Sequence, residues 1–406
     1  MMRMKHAAAC VLPMLAWAGY AGHARADEHM VLVDTIDVNS AKGLGAFDIS
    51  FVDPKLGLYV LSDRTNASVD FFNAQDDTFI GRVGGFVGVT LVNGVANNGL
   101  SGPDGVTIVG DKEVWAGDGD STVKVIDIAS FQVVAKISTG GSFRCDEMSW
   151  DSADHILAVA NNADTPPFVT FINTDTRTVV GKITFDGTNG TPDATTTGIE
   201  QSQWSPKSGL FYVSVPQIFP SDATQGGIAV IDPSSMSVTS VYPVSNCSPA
   251  GLALGPDLEA LIGCSASFGK SPNVLTQSAV IDLKTGSVLQ NFPQVGGSDE
   301  VWYDPATKHY YLAARSDTDN TGKITPVLGT VDAGTNVFDG NVSTSTSAHS
   351  VTADRVSHHV FVPIGFPAAG ASDPTNPCPN VTNGCIAVYL PSSVDSDDGT
   401  RSASAK

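Results

Sequence analysis

One pattern occurs seven times in the sequence, and this repeat constrains the fold more than any other feature. Its clearest copy is residues 297–305, followed by the apolar run 310–314: an acidic pair, a short strand, a turn at Asp304-Pro305 and a second strand. Apolar runs separated by Asp, Pro and Gly are typical of β-hairpins. The copies lie 42 to 56 residues apart and open at Asp48, Asp104, Asp146, Glu200, Ala250, Asp299 and His349.

Each copy continues with two more predicted strands. The third strand ends in an apolar pair and a polar residue, as in Val125-Ile126-Asp127, and the fourth is clearest at residues 132–137. Seven units of four strands, almost without helical periodicity, predict an all-β fold: a seven-bladed β-propeller of four-stranded antiparallel blades.

The two ends of the chain suggest how the ring closes. The seventh unit ends near Leu390 without a fourth strand, whereas residues 31–38 read as a strand that has no blade. Because an open ring would leave unpaired strand edges, we predict that the N-terminal strand completes blade 7. One propeller is therefore predicted over residues 27–391, followed by a disordered Ser- and Asp-rich tail at 392–406.

The first 26 residues are predicted to be a secretory signal peptide. Arg3 and Lys5 precede an apolar run, and Ala24-Arg25-Ala26 has the small-x-small pattern of a cleavage site. The apolar run is shorter than the roughly 20 residues that span a bilayer, which disfavours a membrane anchor. We therefore expect a periplasmic or secreted protein without membrane insertion.

The net charge of the chain limits the classes of partner that it can bind. The chain carries a formal net charge of −20, and loss of the three basic leader residues would bring it to about −23. Such an acidic protein is disfavoured as a ligand of nucleic acid or anionic membranes. A metal ion, a small-molecule ligand or substrate, or a periplasmic protein partner fits better.

The cysteines agree with export. Cys378 and Cys385 bracket a short loop, and Cys247 and Cys264 lie near the open ends of one predicted hairpin, so both pairs are predicted disulfides. Cys145 is left over, either as a free thiol near a site or as a buried inert residue.

The residues that open the seven units should meet at one end of the central channel. We predict a metal site there, with Asp48, Asp104, Asp146, Glu200, Asp299 and His349 as ligands. Clustered carboxylates need protons or a cation, and oxygen ligands suit Ca²⁺, Mg²⁺ or Mn²⁺, while the histidine also permits Zn²⁺ or iron. Each acid also has a purely structural interpretation, as an acceptor of backbone N–H groups in a tight turn.

Neighbouring positions complete the predicted site. Glu147 and Glu300 follow two of the acids and are predicted general bases. Loops after the second strands are predicted to contribute ligand-binding side chains from Arg64, Asn161, Asn162 and Arg315. Trp150, Trp204 and Trp302 are predicted to pack between blades.

Residues 113–137 resemble the repeat of the YVTN, or YncE-like, family of exported propellers. The resemblance implies a periplasmic seven-bladed fold, but no settled activity. Pro103-Asp104-Gly105 and Asn161-Asn162 show a fainter likeness to gluconolactonase- and regucalcin-like propellers. That likeness implies a divalent cation on the channel axis.

Two functional hypotheses follow. One is a metal-dependent hydrolase of a small ester or lactone. The other is a non-catalytic YncE-like propeller that binds a ligand or a protein on its acidic face.

Overall fold

The chain forms a ring of seven four-stranded antiparallel sheets, and this confirms the predicted fold. A computed structural model describes residues 29–265, 277–368 and 370–392. The predicted signal peptide lies outside the described residues, as does the predicted tail beyond Ser392. Ser392 itself is ordered against the N-terminal end of the propeller, because its N–H donates to the carbonyl of His29 at 2.9 Å.

The strands follow the predicted repeat. Strand β1 is Met30–Ile36, and blade 1 contains β2 (Ser50–Asp53), β3 (Leu58–Asp63), β4 (Ser68–Asn73) and β5 (Thr78–Gly84). A short hairpin of β6 (Leu91–Val92) and β7 (Val95–Ala96) precedes blade 2, which contains β8 (Val106–Val109), β9 (Glu113–Asp118), β10 (Thr122–Asp127) and β11 (Gln132–Ser138). Blade 3 contains β12 (Met148–Asp151), β13 (Ile156–Asn161), β14 (Phe168–Asn173) and β15 (Thr178–Thr184).

The second half repeats the arrangement. Blade 4 contains β16 (Ser202–Ser205), β17 (Leu210–Val215), β18 (Gln225–Asp232) and β19 (Ser237–Ser245), and blade 5 contains β20 (Pro249–Leu254), β21 (Glu259–Cys264), β22 (Ser278–Asp282) and β23 (Val288–Phe292). Blade 6 contains β24 (Val301–Asp304), β25 (His309–Ala314), β26 (Val327–Asp332) and β27 (Val337–Ser343), and blade 7 contains β28 (Thr352–Ala353), β29 (Val360–Ile364) and β30 (Cys385–Pro391). Two short 3-10 helices, Asn98–Leu100 and Pro256–Leu258, lie in connecting segments.

Strand β1 closes the ring as predicted. It pairs antiparallel with β30, so that Met30 lies opposite Pro391 and Ile36 opposite Ile386. Blade 7 therefore has the order β1-β30-β29-β28. The innermost strands of neighbouring blades contact each other around the ring, including β28 and β2, and they surround the channel.

The hydrophobic core lies between blades. Side chains alternate between the two faces of each strand, so each sheet packs on both neighbours. Val60 and Phe71 of blade 1 pack with Ile108 of blade 2, and Phe171 of blade 3 packs with Phe211 of blade 4. Full burial of such a side chain contributes about 1.5–3 kcal/mol, so packing between neighbouring blades is a major source of the stability of the ring.

Both predicted disulfides are present. Cys247 is joined to Cys264 and Cys378 to Cys385, with Cα–Cα distances of 4.9 and 5.6 Å. Two disulfides are typical of an oxidising, extracytoplasmic compartment. No helix among the described residues is long and apolar enough to cross a bilayer.

Candidate functional site

A cavity of about 270 Å³ opens at the end of the channel where the loops before the innermost strands meet. These loops converge because every blade runs its first strand away from this end. Five of the predicted site residues line the cavity: Asp48, Arg64, Asp299, Arg315 and His349. We call this site the channel mouth.

Arg64 links two of the predicted acids. It follows β3, the second strand of blade 1, and its side chain is buried. Its Nε donates to Oδ1 of Asp104 at 2.9 Å, and its Nη2 contacts both Asp104 and Asp48. The guanidinium therefore occupies the space between the acids of blades 1 and 2.

A second arginine, Arg144, was not predicted. It lies in the loop before β12, and its Nη2 is 2.6 Å from Oδ2 of Asp146. Its Nη1 lies 3.3 Å from Asp48 and 3.8 Å from Asp104, so one cation contacts the acids of three blades. The sequence shows that Arg144 comes directly before Cys145-Asp146, next to one of the predicted acids. It does not show that the side chain reaches across the channel to Asp48 and Asp104.

The three acids that contact the arginines differ in pKa: that of Asp48 is lowered, whereas those of Asp104 and Asp146 are raised. Burial alone would raise the pKa of Asp48, but Arg64, His349 and Arg144 together hold it well below its usual range. Burial raises the pKa of Asp104 well above its usual range despite both arginines, and one of its carboxyl oxygens is buried without a hydrogen bond from the described residues. Burial likewise raises the pKa of Asp146 to about 6, with Arg144 opposing it. The negative charge of the acidic residues at the mouth is thus compensated partly by guanidinium groups and partly by protons.

The other side of the mouth is more open. Arg315 Nη2 lies 2.7 Å from Asp299 Oδ2, and their side chains are 41% and 29% exposed. His349 stacks on Phe47 at a ring-centroid distance of 4.5 Å. Its Nδ1 lies 2.7 Å from the carbonyl of Ser347 and therefore donates to it, which leaves Nε2 facing Asp48 at 3.4 Å.

The remaining predicted residues of the mouth differ in their contacts. Asn162 donates to Asp146 at 2.5 Å and accepts from Arg144, so it belongs to the cluster. Asn161 instead donates to Thr139 at 2.9 Å between blades 3 and 2, because adjacent residues of a strand point to opposite sides. Glu200 is half-buried, and burial with Asp146 and Asp299 nearby raises its pKa well above its usual range.

Glu147 and Glu300 lie deeper in the channel. They line a second cavity of about 270 Å³ together with Trp150, Trp204 and Trp302. The tryptophans also pack against the clusters between blades, as predicted. We call this site the aromatic cavity.

The two glutamates form a carboxyl pair. Burial raises both pKa values well above their usual range, and the carboxyl groups lie within hydrogen-bonding reach of each other. Ser350 Oγ donates to Glu300 Oε2 at 3.1 Å. Both carboxyl groups therefore ionise less readily than exposed glutamates.

Cys145 is a free, fully buried thiol. Burial raises its pKa to about 12, and its sulfur lies 3.4 Å from Thr139 Oγ1. The thiol is therefore not a nucleophile in the folded protein.

A candidate metal centre lies elsewhere, at the opposite end of blade 6. The ligand atoms of His309, Asp332 and Asp339 all lie within 4.8 Å of one another. Within the described part of the chain, no group at the channel mouth meets this criterion. His309 and Asp332 are buried, and Asp339 is mostly buried.

Strand register builds this centre. His309 opens β25 and lies directly opposite Asp332, the last residue of β26. Asp339 belongs to β27, at the irregularity where the register of β26 and β27 shifts. Its Oδ2 is 3.1 Å from His309 Nε2. Two ligands about 2.1 Å from a tetrahedral Zn²⁺ ion lie about 3.4 Å apart, so the spacing fits a shared ion.

Comparisons with known proteins do not extend these findings: no protein-family model and no curated protein matches the chain. The seven-bladed propeller is shown by the structure itself. A buried His/Asp/Asp group that could hold a metal ion is also present, and both features fit a ligand-binding propeller.

Proposed function

We propose that this protein is an exported, non-catalytic propeller that binds a small organic ligand, one with hydroxyl and carboxylate groups, at the channel mouth. The observation that carries the proposal is the mouth cavity of about 270 Å³, whose wall combines guanidinium, carboxylate and imidazole groups. Concave sites with a few convergent polar groups are the usual ligand sites of proteins.

The lining explains the ligand class. Guanidinium groups donate to carboxylates in a planar, two-pronged geometry, and carboxylates accept hydrogen bonds from hydroxyl groups. Arg315 and Asp299 are both partly exposed, so their ion pair contributes little and can exchange partners. The stacked rings of Phe47 and His349 add a flat wall against which a carbon skeleton can lie.

The charges favour binding over the metal-dependent hydrolase. That hypothesis needed a cation to neutralise the acidic ring, but Arg64 and Arg144 already contact Asp48, Asp104 and Asp146. The two glutamates predicted as general bases line the aromatic cavity and not the mouth. The YncE-like, non-catalytic hypothesis is therefore the better supported one.

Metal binding remains part of the proposal, but we place it in blade 6. One imidazole and two carboxylates form a mixed nitrogen and oxygen set that suits Zn²⁺, Mn²⁺ or Fe²⁺. An ion there would tie together strands β25, β26 and β27. Its role would be to stabilise the blade.

Export of the protein is supported by the two disulfides and by the predicted leader. We propose a periplasmic or secreted location on these grounds.

Isothermal titration of the full exported chain with sodium gluconate tests the proposed function. We expect saturable binding, little binding of neutral D-glucose, and at least about tenfold weaker gluconate binding for Arg315→Gln, since charge-assisted hydrogen bonds contribute about 1.5–3 kcal/mol. The matched control is Arg177→Gln, because Arg177 pairs with Glu113 at the other end of the strands.

Three results would contradict the proposal. The first is the absence of saturable gluconate binding, and the second is gluconate binding that Arg315→Gln leaves unchanged. The third is hydrolysis of D-glucono-1,5-lactone that a chelator abolishes, which would support the hydrolase instead.

A further inference from the structure

The hairpin of β6 and β7 carries the most concentrated exposed apolar surface among the described residues. Leu91 is 62% exposed and Val95 70%, and Val87, Val89 and Val92 are each at least 40% exposed. Exposed valines also occur on the outer strands of several blades, but there charged residues lie close by, as in Val179-Val180-Gly181-Lys182 and Val337-Phe338-Asp339. Contiguous apolar patches on a folded surface mark interaction sites.

The hairpin is built to project. Its strands pair Leu91 with Ala96 and Val92 with Val95, and Asn93 and Gly94 both have positive φ, as a tight two-residue turn requires. Below it, Gly88 and Gly102 exchange two backbone hydrogen bonds of 2.7 and 3.0 Å. The tip is therefore a short ribbon whose outer edges pair with no other described strand and whose side chains contact solvent.

The distribution of charged residues indicates which partner covers the hairpin. Residues 83–103 contain no Asp, Glu, Lys, Arg or His, although the chain as a whole has a net charge of −20. Two copies of such an acidic protein repel each other over most of their surfaces, and this repulsion is weakest where the two facing surfaces carry no charged residues. A basic partner would instead be attracted to the acidic surface, and an anionic membrane would be repelled by the molecule as a whole.

We infer that this hairpin is the contact through which two copies of the chain form a symmetric dimer. In a two-fold dimer the same apolar ribbon meets itself, which covers the exposed valines and leucine of both copies. Asn98, two residues beyond β7, lines the channel mouth, so the contact lies beside that cavity. This inference does not depend on the proposed ligand.

Sedimentation velocity on the full exported chain, over a concentration series, tests the inference. We expect the mean mass to rise toward twice the monomer mass with concentration. Added salt should strengthen the dimer, because it screens the repulsion between two acidic copies. Leu91→Asp/Val95→Asp should be monomeric at every concentration, with an unchanged melting temperature because both side chains are exposed. Leu91→Ser/Val95→Ser, without added charge, should weaken the dimer at least tenfold.

The matched control is Val337→Asp, on the outer strand β27, where the valine is 54% exposed. It should dimerise like the parent chain. A parent chain that stays monomeric at its highest soluble concentration in high salt overturns the inference, as does a dimer that survives both hairpin variants or that Val337→Asp disrupts.

Discussion

Arg144 is predicted to be the residue on whose charge the channel mouth depends most. Its side chain is 17% exposed and it contacts Asp146, Asp48 and Asp104, whereas Arg64 contacts only two acids. Replacement by glutamine removes the charge and keeps a polar side chain. Arg144→Gln therefore isolates the electrostatic contribution as far as a single substitution can.

The size of the loss follows from burial. Removing one partner of a buried ion pair destabilises a protein by about 3–5 kcal/mol, because the remaining charge is left uncompensated. Asp48 keeps Arg64 as a partner, which places the expected loss of Arg144→Gln at the lower end, about 3 kcal/mol. The control Arg177→Gln removes a partly exposed pair with Glu113 and should reduce the free energy of unfolding by less than about 1 kcal/mol.

The loss should depend on pH with a definite sign. Burial raises the pKa of Asp146 to about 6, above its ordinary value of 3.8. Such a group stabilises the folded state below its unfolded pKa, and that contribution is lost as the pH rises through the folded pKa. Without Arg144 the folded pKa rises further, so the variant loses more than the parent once the carboxyl group must ionise. The lowered pKa of Asp48 also depends partly on Arg144, so the variant loses stability there too, but this loss is already present at pH 5, above the ordinary pKa of 3.8.

Urea unfolding followed by tryptophan fluorescence measures this difference. We expect the free energy lost by Arg144→Gln to be clearly larger at about pH 7.5 than at about pH 5, on either side of the pKa of about 6 of Asp146. A loss equal to that of Arg177→Gln, or one that does not change between the two pH values, would refute this account of charge compensation.

Two further predictions concern the carboxyl pair and the metal centre. Glu147→Gln replaces an acid whose pKa is raised by burial and by Glu300. Above neutral pH the variant should therefore have a larger free energy of unfolding than the parent chain, and its free energy of unfolding should fall less steeply from pH 5 to pH 8. A variant that is less stable than the parent across that whole range in urea unfolding would contradict this. Calorimetric titration with ZnCl₂ should find one ion per chain, bound at least about tenfold more weakly by Asp339→Asn. His359→Gln should bind Zn²⁺ like the parent chain, because His359 faces a single carboxylate, Asp77, at 2.9 Å; equal binding by Asp339→Asn would contradict the assignment.

The fold was predictable because its signals are local. Alternating apolar residues and turns such as Asp304-Pro305 define each hairpin, and seven repeats at one spacing define the ring. Closure by β1 followed from a strand without a blade at one end and a blade without a strand at the other. The Cys378–Cys385 disulfide followed from the short loop between its cysteines, and the Cys247–Cys264 disulfide from the position of both cysteines near the open ends of one hairpin.

The site was predictable only in part. The repeat correctly indicated that Asp48, Asp104 and Asp146 would come together. It could not show that Arg144 would neutralise them, because residues 48 and 144 are far apart in the sequence and meet only in the folded structure. His309 and Asp332 could have been paired from the register of the second and third strands. Asp339 could not, because it lies where that register shifts.

The sequence by itself thus determined the seven blades, their strand order and the end of the channel at which the acidic residues gather. These properties depend on periodicity, turn chemistry and repeat length, which are written along the chain. Only the tertiary structure decided which charges neutralise each other, that Glu147 and Glu300 share one environment, and that a His/Asp/Asp group able to hold a metal ion lies in blade 6. Such properties depend on distances between side chains of different strands, and a difference of a few ångströms decides whether a carboxyl group meets a cation, another carboxyl group or water.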